Sequence, residues 1–193
     1  VNAAIYVAEA NTLKVCEVKN CYFHDNMKSC IFFEGALSNF LLIQSTFANI
    51  ATSSSEYMSV VDVRNANYAI INHCTFYNCQ AMNTDHAAIK LECDGLIANS
   101  VIVAPESHGA YRAIHVKDGW NVEAKNCLSF NYTKDSGGFR SAVKKVDCLM
   151  NTDPLFVDAV NGNFSFAVGS PALASGTNGT NMGDLRWNPS DID

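Results

Sequence analysis

Apolar and polar residues alternate along much of the first 150 residues, a pattern typical of short strands that bury one face. The alternation recurs at intervals of roughly 27 residues, which indicates an internal repeat. One register of the repeat places a small residue at each step: Cys21, Ser45, Cys74, Ser100 and Cys127. Each repeat also has a strand that precedes this small residue, and its inward-facing residues form two sets. The first set is Ile5, Ile31, Val61, Ile89 and Ile114, and the second is Val7, Phe33, Val63, Leu91 and Val116.

A repeat of this length holds two or three short strands and cannot bury its apolar face alone, so successive copies must stack. We therefore predict an all-β chain that forms a parallel β-helix, with five full coils from about residue 3 to about residue 132. The alternative is a β-sandwich of antiparallel hairpins, which needs tight turns every 8–12 residues or so. The pairs Asp94-Gly95 and Asp118-Gly119 fall at the same register of adjacent repeats, which favours stacked coils.

Asparagine recurs after the inner strand, at a step shared by Asp25, Asn49, Asn78 and Asn131, with Ala104 in the fourth repeat. Asparagine tolerates a left-handed backbone at a corner, and stacked amide side chains can hydrogen-bond from one coil to the next. We expect this step to form a corner of every coil.

Eight cysteines would suit a disulfide framework or a metal site, but the repeat argues against both. Cys21, Cys74 and Cys127 share one ladder position with serines between them, so they lie two coils, or about 9.6 Å, apart and cannot form a disulfide. No Cys-x-x-Cys pair is present. We predict that most cysteines are free and buried, with Cys127 and Cys148 as the best disulfide candidates.

The sequence changes in character after residue 150. Three of the four prolines fall in residues 151–193, together with many glycines and asparagines. We predict coils over residues 1–150 and a cap and tail of the same domain over residues 151–193, because the open end of a β-helix needs a cover. Phe156, Phe164 and Phe166 are expected to cover the last coil, and Trp187 to lie on that coil or along the flank.

Composition narrows the classes of partner. The net charge is −6, which argues against a nucleic-acid partner, since such a partner needs a basic face. No apolar run is long enough to span a membrane. The chain begins without methionine or a signal-peptide pattern, so we expect it to be trimmed. We expect a monomer.

The stretch DPLFVDAVNGNFSFAVGSPAL resembles the closing segment of secreted bacterial right-handed β-helix proteins, a group that includes pectate-lyase-like and chondroitinase-B-like polysaccharide lyases. The tail MGDLRW is similar to the ending of a domain of unknown function found in gut Bacteroidetes surface proteins. The resemblance implies a right-handed β-helix, a secreted or cell-surface location in a bacterium, a polysaccharide ligand, and a longer protein upstream of Val1. It carries over no catalytic residues, because no lyase motif is present.

Outward residues of the earlier strand form two predicted columns: Tyr6, Phe32, Asp62, Lys90 and His115, and Ala8, Glu34, Arg64, Glu92 and Lys117. Elimination from a uronate needs a base at C5 and a group that neutralises the carboxylate. The candidate catalytic residues are Lys117, His115 and Arg112, and the candidate substrate-binding residues are Tyr111, Lys90, Arg64 and Glu92. The alternative is structural, because charges of alternating sign along Glu34, Arg64, Glu92 and Lys117 also fit a salt-bridged ladder on a solvated sheet.

Loops between coils hold further candidates, because loops on a rigid scaffold often carry function. The residues concerned are Tyr57, Asp85, His86, His108 and Tyr111, of which the tyrosines could stack on sugar rings. No metal motif is present, so no metal site or cofactor is predicted. Calcium is the one cation considered, with Glu92 and Asp62 as ligands.

These features together predict an extracytoplasmic, carbohydrate-interacting β-helix domain, whose enzymatic form would be a polysaccharide lyase. The alternative function is a non-catalytic scaffold or adhesion module of a surface protein. The two differ in whether a base and a charge-neutralising group converge on one site.

Overall fold

The computed structural model describes residues 3–8, 14–25, 29–36, 38–52, 59–81, 87–108 and 112–189. Nearly all of its regular structure is β. The strands in chain order are β1 (Ala3–Val7), β2 (Val15–Lys19), β3 (Tyr22–His24), β4 (Ser29–Phe33), β5 (Asn39–Ile43), β6 (Thr46–Thr52), β7 (Val61–Arg64), β8 (Tyr68–Asn72), β9 (Thr75–Ala81), β10 (Ala87–Glu92), β11 (Gly95–Ala98), β12 (Val101–His108), β13 (Arg112–Val116), β14 (Val122–Lys125), β15 (Leu128–Tyr132), β16 (Val143–Val146), β17 (Leu149–Met150), β18 (Phe156–Asp158) and β19 (Asn163–Phe166).

Three parallel sheets wrap the chain into a β-solenoid. Each of the first five coils adds one strand to each sheet, and the last coil adds β16 to sheet B and β17 to sheet C. Sheet A has the order β1-β4-β7-β10-β13, sheet B the order β2-β5-β8-β11-β14-β16, and sheet C the order β3-β6-β9-β12-β15-β17. The chain thus completes four turns between β1 and β13. The parallel β-helix predicted from the repeat is confirmed, and the antiparallel sandwich is excluded for these sheets.

The predicted register of sheet A is also confirmed. Val61 pairs with Ile31 on one side and Ile89 on the other, and Leu91 pairs with both Val63 and Val116. These side chains are fully buried and belong to one apolar core that runs along the inside of the solenoid. Inside that core, Phe47 stacks on Phe23 and Phe76, with ring centroids 4.9 and 4.7 Å apart.

Residues with a left-handed backbone conformation form the corners of the coils. The predicted corner residues Asp25, Asn49, Asn78 and Asn131 have φ between 51° and 63°. The Asn78 amide donates to Asn49 Oδ1 over 3.0 Å, and the Asn49 amide donates to Asp25 Oδ1 over 3.2 Å, so the expected ladder is present over the first three coils. The expectation of a corner in every coil is wrong at Ala104, which lies within β12 and has no left-handed backbone. A second left-handed corner, which the sequence did not suggest, precedes the small-residue ladder at Asn20, Gln44, His73, Asn99 and Asn126, with φ between 46° and 56°.

All eight cysteines are free thiols in the structure, and five of them are buried. At the ladder position, serines fill the same place as cysteines, because both donate to a carbonyl two residues earlier. Ser100 Oγ donates to Ala98 O over 2.8 Å, and Cys127 Sγ donates to Lys125 O over 3.4 Å. The cysteines of this ladder act as small core residues, as predicted.

The C-terminal segment, residues 156–188, lies along the outer face of sheet C, and we call it the flank segment. Phe164 and Met182 are buried against Ala48, Val101 and Leu128 on that face. Three further side chains of the segment pack there while partly exposed: Phe156, Phe166 and Trp187. The sequence placed these aromatic rings over the last coil, but they cover the side of several coils. The reason is that the outward positions of sheet C are apolar and need a cover of their own.

Polar contacts fasten the flank segment to early coils. Asp184, which is fully buried, accepts a hydrogen bond from Thr46 Oγ1 over 2.7 Å, and Trp187 Nε1 donates to the same hydroxyl over 3.0 Å. Arg186 donates to the carbonyl oxygens of Asn20 and Cys21 over 2.6 and 2.8 Å. Trp187 therefore lies along the flank, one of the two positions expected from the sequence.

The helical segments within the described ranges are two short 3-10 turns, Ala159–Asn161 and Thr177–Gly179. Neither is long and apolar enough to cross a membrane.

Candidate functional site

The outward residues of sheet A stack as the sequence predicts. Lys90 pairs in register with Asp62 and His115, and Glu92 pairs with Arg64. Although the column faces outward, its members are largely shielded from solvent: Asp62 is 0% exposed, His115 6% and Lys90 8%. Burying a charged group costs free energy unless the group has a partner, so the contacts of these side chains show how their charges are balanced.

A cavity of about 290 Å³ opens at this end of sheet A. Among the described residues it is lined by Lys90, Glu92, His115, Lys117 and Arg140. Four of these five were named as site candidates from the sequence. The lining holds three cations and the carboxylate of Glu92, and Asp118 pairs with Arg140 beside it, so positive groups are in excess here in a chain whose net charge is −6.

Glu92 is the centre of the charge network. Its carboxylate oxygens lie 2.8 Å from the Nζ atoms of both Lys90 and Lys117, and 3.9 Å from Arg64 Nε. Burial alone would raise the pKa of Glu92, but the hydrogen bonds from Lys117 and Lys90 outweigh it and lower the pKa from 4.5 to about 2. Glu92 is therefore ionised at any physiological pH and holds both lysine ammonium groups in place.

Arg64 connects the network to the aromatic end of the column. It binds the Asp62 carboxylate through Nε and Nη2, each over 2.9 Å, and its guanidinium lies 4.7 Å from the centre of the Phe32 ring. The hydrogen bond to Asp62 raises the pKa of Arg64. Phe32 in turn stacks on Tyr6 with ring centroids 5.6 Å apart. Arg64 is thus held by Asp62 on the sheet, beside the cavity.

Arg140 is the functional candidate that the sequence did not reveal. Its Nη1 donates to Val116 O over 2.6 Å and lies 3.1 Å from His115 Nε2, while Nη2 donates to Asp118 over 3.0 Å. A guanidinium has no acceptor, so His115 Nε2 must accept this hydrogen bond and carries no proton. The signal was the pair Phe139-Arg140, which repeats Ile114-His115 one coil later, as the bridge between Ile114 and Phe139 shows.

Arg112 occupies a different place from its predicted partners. It begins β13, and its guanidinium pairs with Asp135. It is not among the described residues that line the cavity. The structure therefore brings Lys90, Glu92, His115 and Lys117 together, with Arg64 beside them, and directs Arg112 elsewhere.

Several sequence candidates lie outside the described residues: Tyr57, Asp85, His86 and Tyr111, together with the side chain of His108. Their proposed contribution to the site stays a prediction.

Metal binding receives no support from the described part of the chain. No group of three or more His, Cys, Asp or Glu side chains is arranged there to hold an ion. The two carboxylates considered for calcium are engaged by cations instead, Asp62 by Arg64 and Glu92 by Lys90 and Lys117.

A second, larger cleft of about 350 Å³ lies on the outer face of sheet B. It is lined by Tyr68, Asp94, Gly95, Asn121, Val122, Glu123 and Lys144. Its polar groups are largely used within the protein, since Lys144 pairs with Glu123 over 2.6 Å and Asp94 accepts from the Asn121 backbone over 2.7 Å. We favour the sheet A cavity because buried charges converge there.

No family model matches the chain, and no curated protein sequence matches it. The fold and the geometry of sheet A therefore provide the structural basis for a function.

Proposed function

We propose that this chain is a carbohydrate-interacting β-helix domain that binds an acidic polysaccharide along the outer face of sheet A. The observation that carries the proposal is the cavity lined by Lys90, Lys117 and Arg140, with Glu92 between the two lysines. A carboxylate of a uronate entering there would meet three cations against two competing carboxylates, those of Glu92 and Asp118. The coil spacing of about 4.8 Å lets successive sugars meet successive coils.

The cations are also pre-positioned, which favours binding. Glu92 holds both lysines, and Arg140 is held by Val116 O and Asp118. A ligand would therefore pay little side-chain entropy to engage them. The resemblance of the C-terminal residues to secreted bacterial β-helix proteins supports an extracytoplasmic location and a polysaccharide as ligand. A monomer, and a division at residue 150 into coils and a closing segment, belong to the same proposal.

We propose binding, rather than catalysis, as the main function of this site. A lyase needs a base that can reach the C5 proton, and His115 Nε2 already accepts a hydrogen bond from Arg140. Lys117, whose side chain is 61% exposed, is the better-placed candidate base. A pectate-lyase-like activity would then use Lys117 as base, with Lys90 and Arg140 neutralising the carboxylate.

A non-catalytic scaffold is the second candidate, and a specific observation favours it. Lys117, Glu92, Lys90, Arg64 and Asp62 form a continuous set of ion pairs across the coils. Such a network can have a purely structural role, because cross-strand pairs of opposite charge stabilise neighbouring strands.

Substitution of Lys117 distinguishes binding from scaffolding. Lys117→Ala should weaken binding to a uronate polymer by about 10- to 100-fold, because a charged contact contributes roughly 1.5–3 kcal/mol. The dissociation constant is measured by calorimetry after an array of acidic and neutral polysaccharides has identified a ligand. Formation of unsaturated uronate, followed by ultraviolet absorbance, reports any lyase activity in the same samples.

Lys144→Ala is the matched control. Lys144 also pairs with a glutamate, Glu123, and its side chain is 71% exposed, but it lies outside the sheet A cavity. The proposal expects this variant to bind normally. If the parent protein binds no acidic polymer, and a double-mutant cycle couples Lys117 to Glu92 in stability by about 0.2–1 kcal/mol, the scaffold function is correct.

A further inference from the structure

Cysteine and serine alternate along the small-residue ladder until its last step. The order is Cys21, Ser45, Cys74, Ser100, Cys127 and then Cys148. Serine separates the cysteines at the earlier steps, which keeps their sulfur atoms two coils apart. At the end of the solenoid, however, two cysteines follow each other on neighbouring coils.

The strand register places these two residues directly opposite each other. Lys125 pairs with Val146 and Leu128 pairs with Leu149, so Cys127 faces Cys148. The backbone agrees, because Leu149 N donates to Cys127 O over 2.8 Å. Neighbouring parallel strands are about 4.8 Å apart, which lies within the range of Cα separations that a disulfide spans.

The two thiols also differ in their surroundings. Cys127 is buried, whereas Cys148 is half-buried and lies beside β17, the last strand of sheet C. A reagent in solution can therefore reach Cys148 first, with Cys127 behind it as the resolving thiol.

We propose that Cys127 and Cys148 form a thiol–disulfide exchange site, which a small-molecule disulfide converts into a disulfide linking the last coil to the one before it. The reaction is balanced in two steps. The Cys148 thiolate attacks one sulfur of the reagent, giving a mixed disulfide and releasing one reagent thiolate. The Cys127 sulfur then attacks Cys148 Sγ, releasing the second. Both protein thiol protons end on the reagent thiolates, and two electrons pass from protein to reagent.

The ionisation of the pair suits this order of events. The interaction with the neighbouring Cys127 side chain lowers the pKa of Cys148 to about 7, against the opposing effect of burial. Burial, together with Cys148, raises the pKa of Cys127 well above 9. The more accessible member, Cys148, is thus the thiolate that attacks, and the buried Cys127 becomes reactive only once Cys148 carries the reagent.

The test treats the folded protein with oxidised glutathione and then counts thiols after denaturation. The eight free thiols should fall to six, and peptide mapping should recover one cross-linked pair that contains Cys127 and Cys148. The oxidised protein should also show a higher Tm than the reduced protein, and reduction should reverse both changes.

Serine variants are suitable here because serine occupies the same ladder position at Ser45 and Ser100. Cys148→Ser and Cys127→Ser should each abolish the cross-link, and Cys127→Ser should stop at the mixed disulfide. Cys21→Ser, at the other end of the ladder and next to Ser45, should leave the cross-link unchanged. Retention of all eight thiols, a stable mixed disulfide in the parent, or a cross-link between other cysteines would overturn the proposal.

Discussion

Glu92 shows how one buried carboxylate organises a charged surface. Its two lysine partners come from its own strand and from the next coil, so its negative charge fixes the spacing of positive groups across sheet A. Lys90 has a side chain only 10% exposed, which would be costly without that counter-charge. The positive cavity therefore depends on a negative residue.

Glu92 also predicts how stability responds to acid. Its pKa in the folded protein, about 2, is below the ordinary glutamate value of 4.5, so its contribution to stability is fully present above about pH 4.5 and is lost as the pH falls toward 2. Glu92→Gln should cost about 1–2 kcal/mol at pH 7, after allowance for solvent screening. Urea unfolding at several pH values measures this difference, which should shrink steadily in acid. A gap that stays constant down to pH 2 would contradict the shifted pKa.

The corner ladder is the feature that most clearly connects sequence to structure at the scale of the element. The corner position needs a residue that adopts a left-handed backbone conformation. An amide side chain at that position also donates a hydrogen bond to the neighbouring coil. Asparagine satisfies both demands, whereas glycine satisfies the first and alanine neither. This is why the residue recurs at one step of the repeat.

Substitution at Asn78 separates the two demands. Asn78→Ala should lower the free energy of unfolding by about 2–3 kcal/mol, since it loses the amide bond to Asn49 and places alanine at positive φ. Asn78→Gly should lose about 1 kcal/mol less, because glycine tolerates that backbone. Chemical denaturation of both variants gives the comparison. Equal losses would show that the left-handed backbone contributes nothing to the preference for asparagine.

Much of each coil was predictable because alternation with a fixed period determines register. Ile89 and Leu91 were paired correctly with Val61 and Val63 from spacing alone. Arg140 was missed because an irregular stretch before it breaks the period, so its equivalence to His115 appears only through the bridge at Phe139. The pattern of apolar residues also predicts that Phe164 is buried, but it does not predict which surface Phe164 packs against.

At the scale of the whole molecule, two apolar layers share the strands of sheet C. The inward layer belongs to the solenoid core, and the outward layer, including Val101 and Leu128, is covered by the flank segment. Outward apolar residues on successive coils would otherwise form a continuous exposed patch, which promotes association between molecules.

Phe164 tests the contribution of that cover. Phe164→Ala should destabilise the protein by about 3–5 kcal/mol, because the side chain is fully buried between the flank segment and sheet C. Val168→Ala is the control within the same segment. Val168 is fully exposed, so its substitution should change the free energy of unfolding by less than about 0.5 kcal/mol.

Removal of residues 151–193 should cause aggregation, measured by light scattering, because the apolar outer face of sheet C would lose its cover. A truncated protein that stays monomeric with an unchanged Tm would show that the segment is a dispensable tail.

The bonds from Asp184 and Trp187 to Thr46 join residues 138 and 141 positions apart in the chain. Coils made of neighbouring repeats can stack as they leave the ribosome, because each contact spans only one repeat. The cover of the outer face of sheet C cannot form in this way, because it needs the flank segment, which follows all the coils in the chain. Until the flank segment docks, this ordered apolar face stays open to other molecules, so the long-range contacts that close it belong to the slow part of folding.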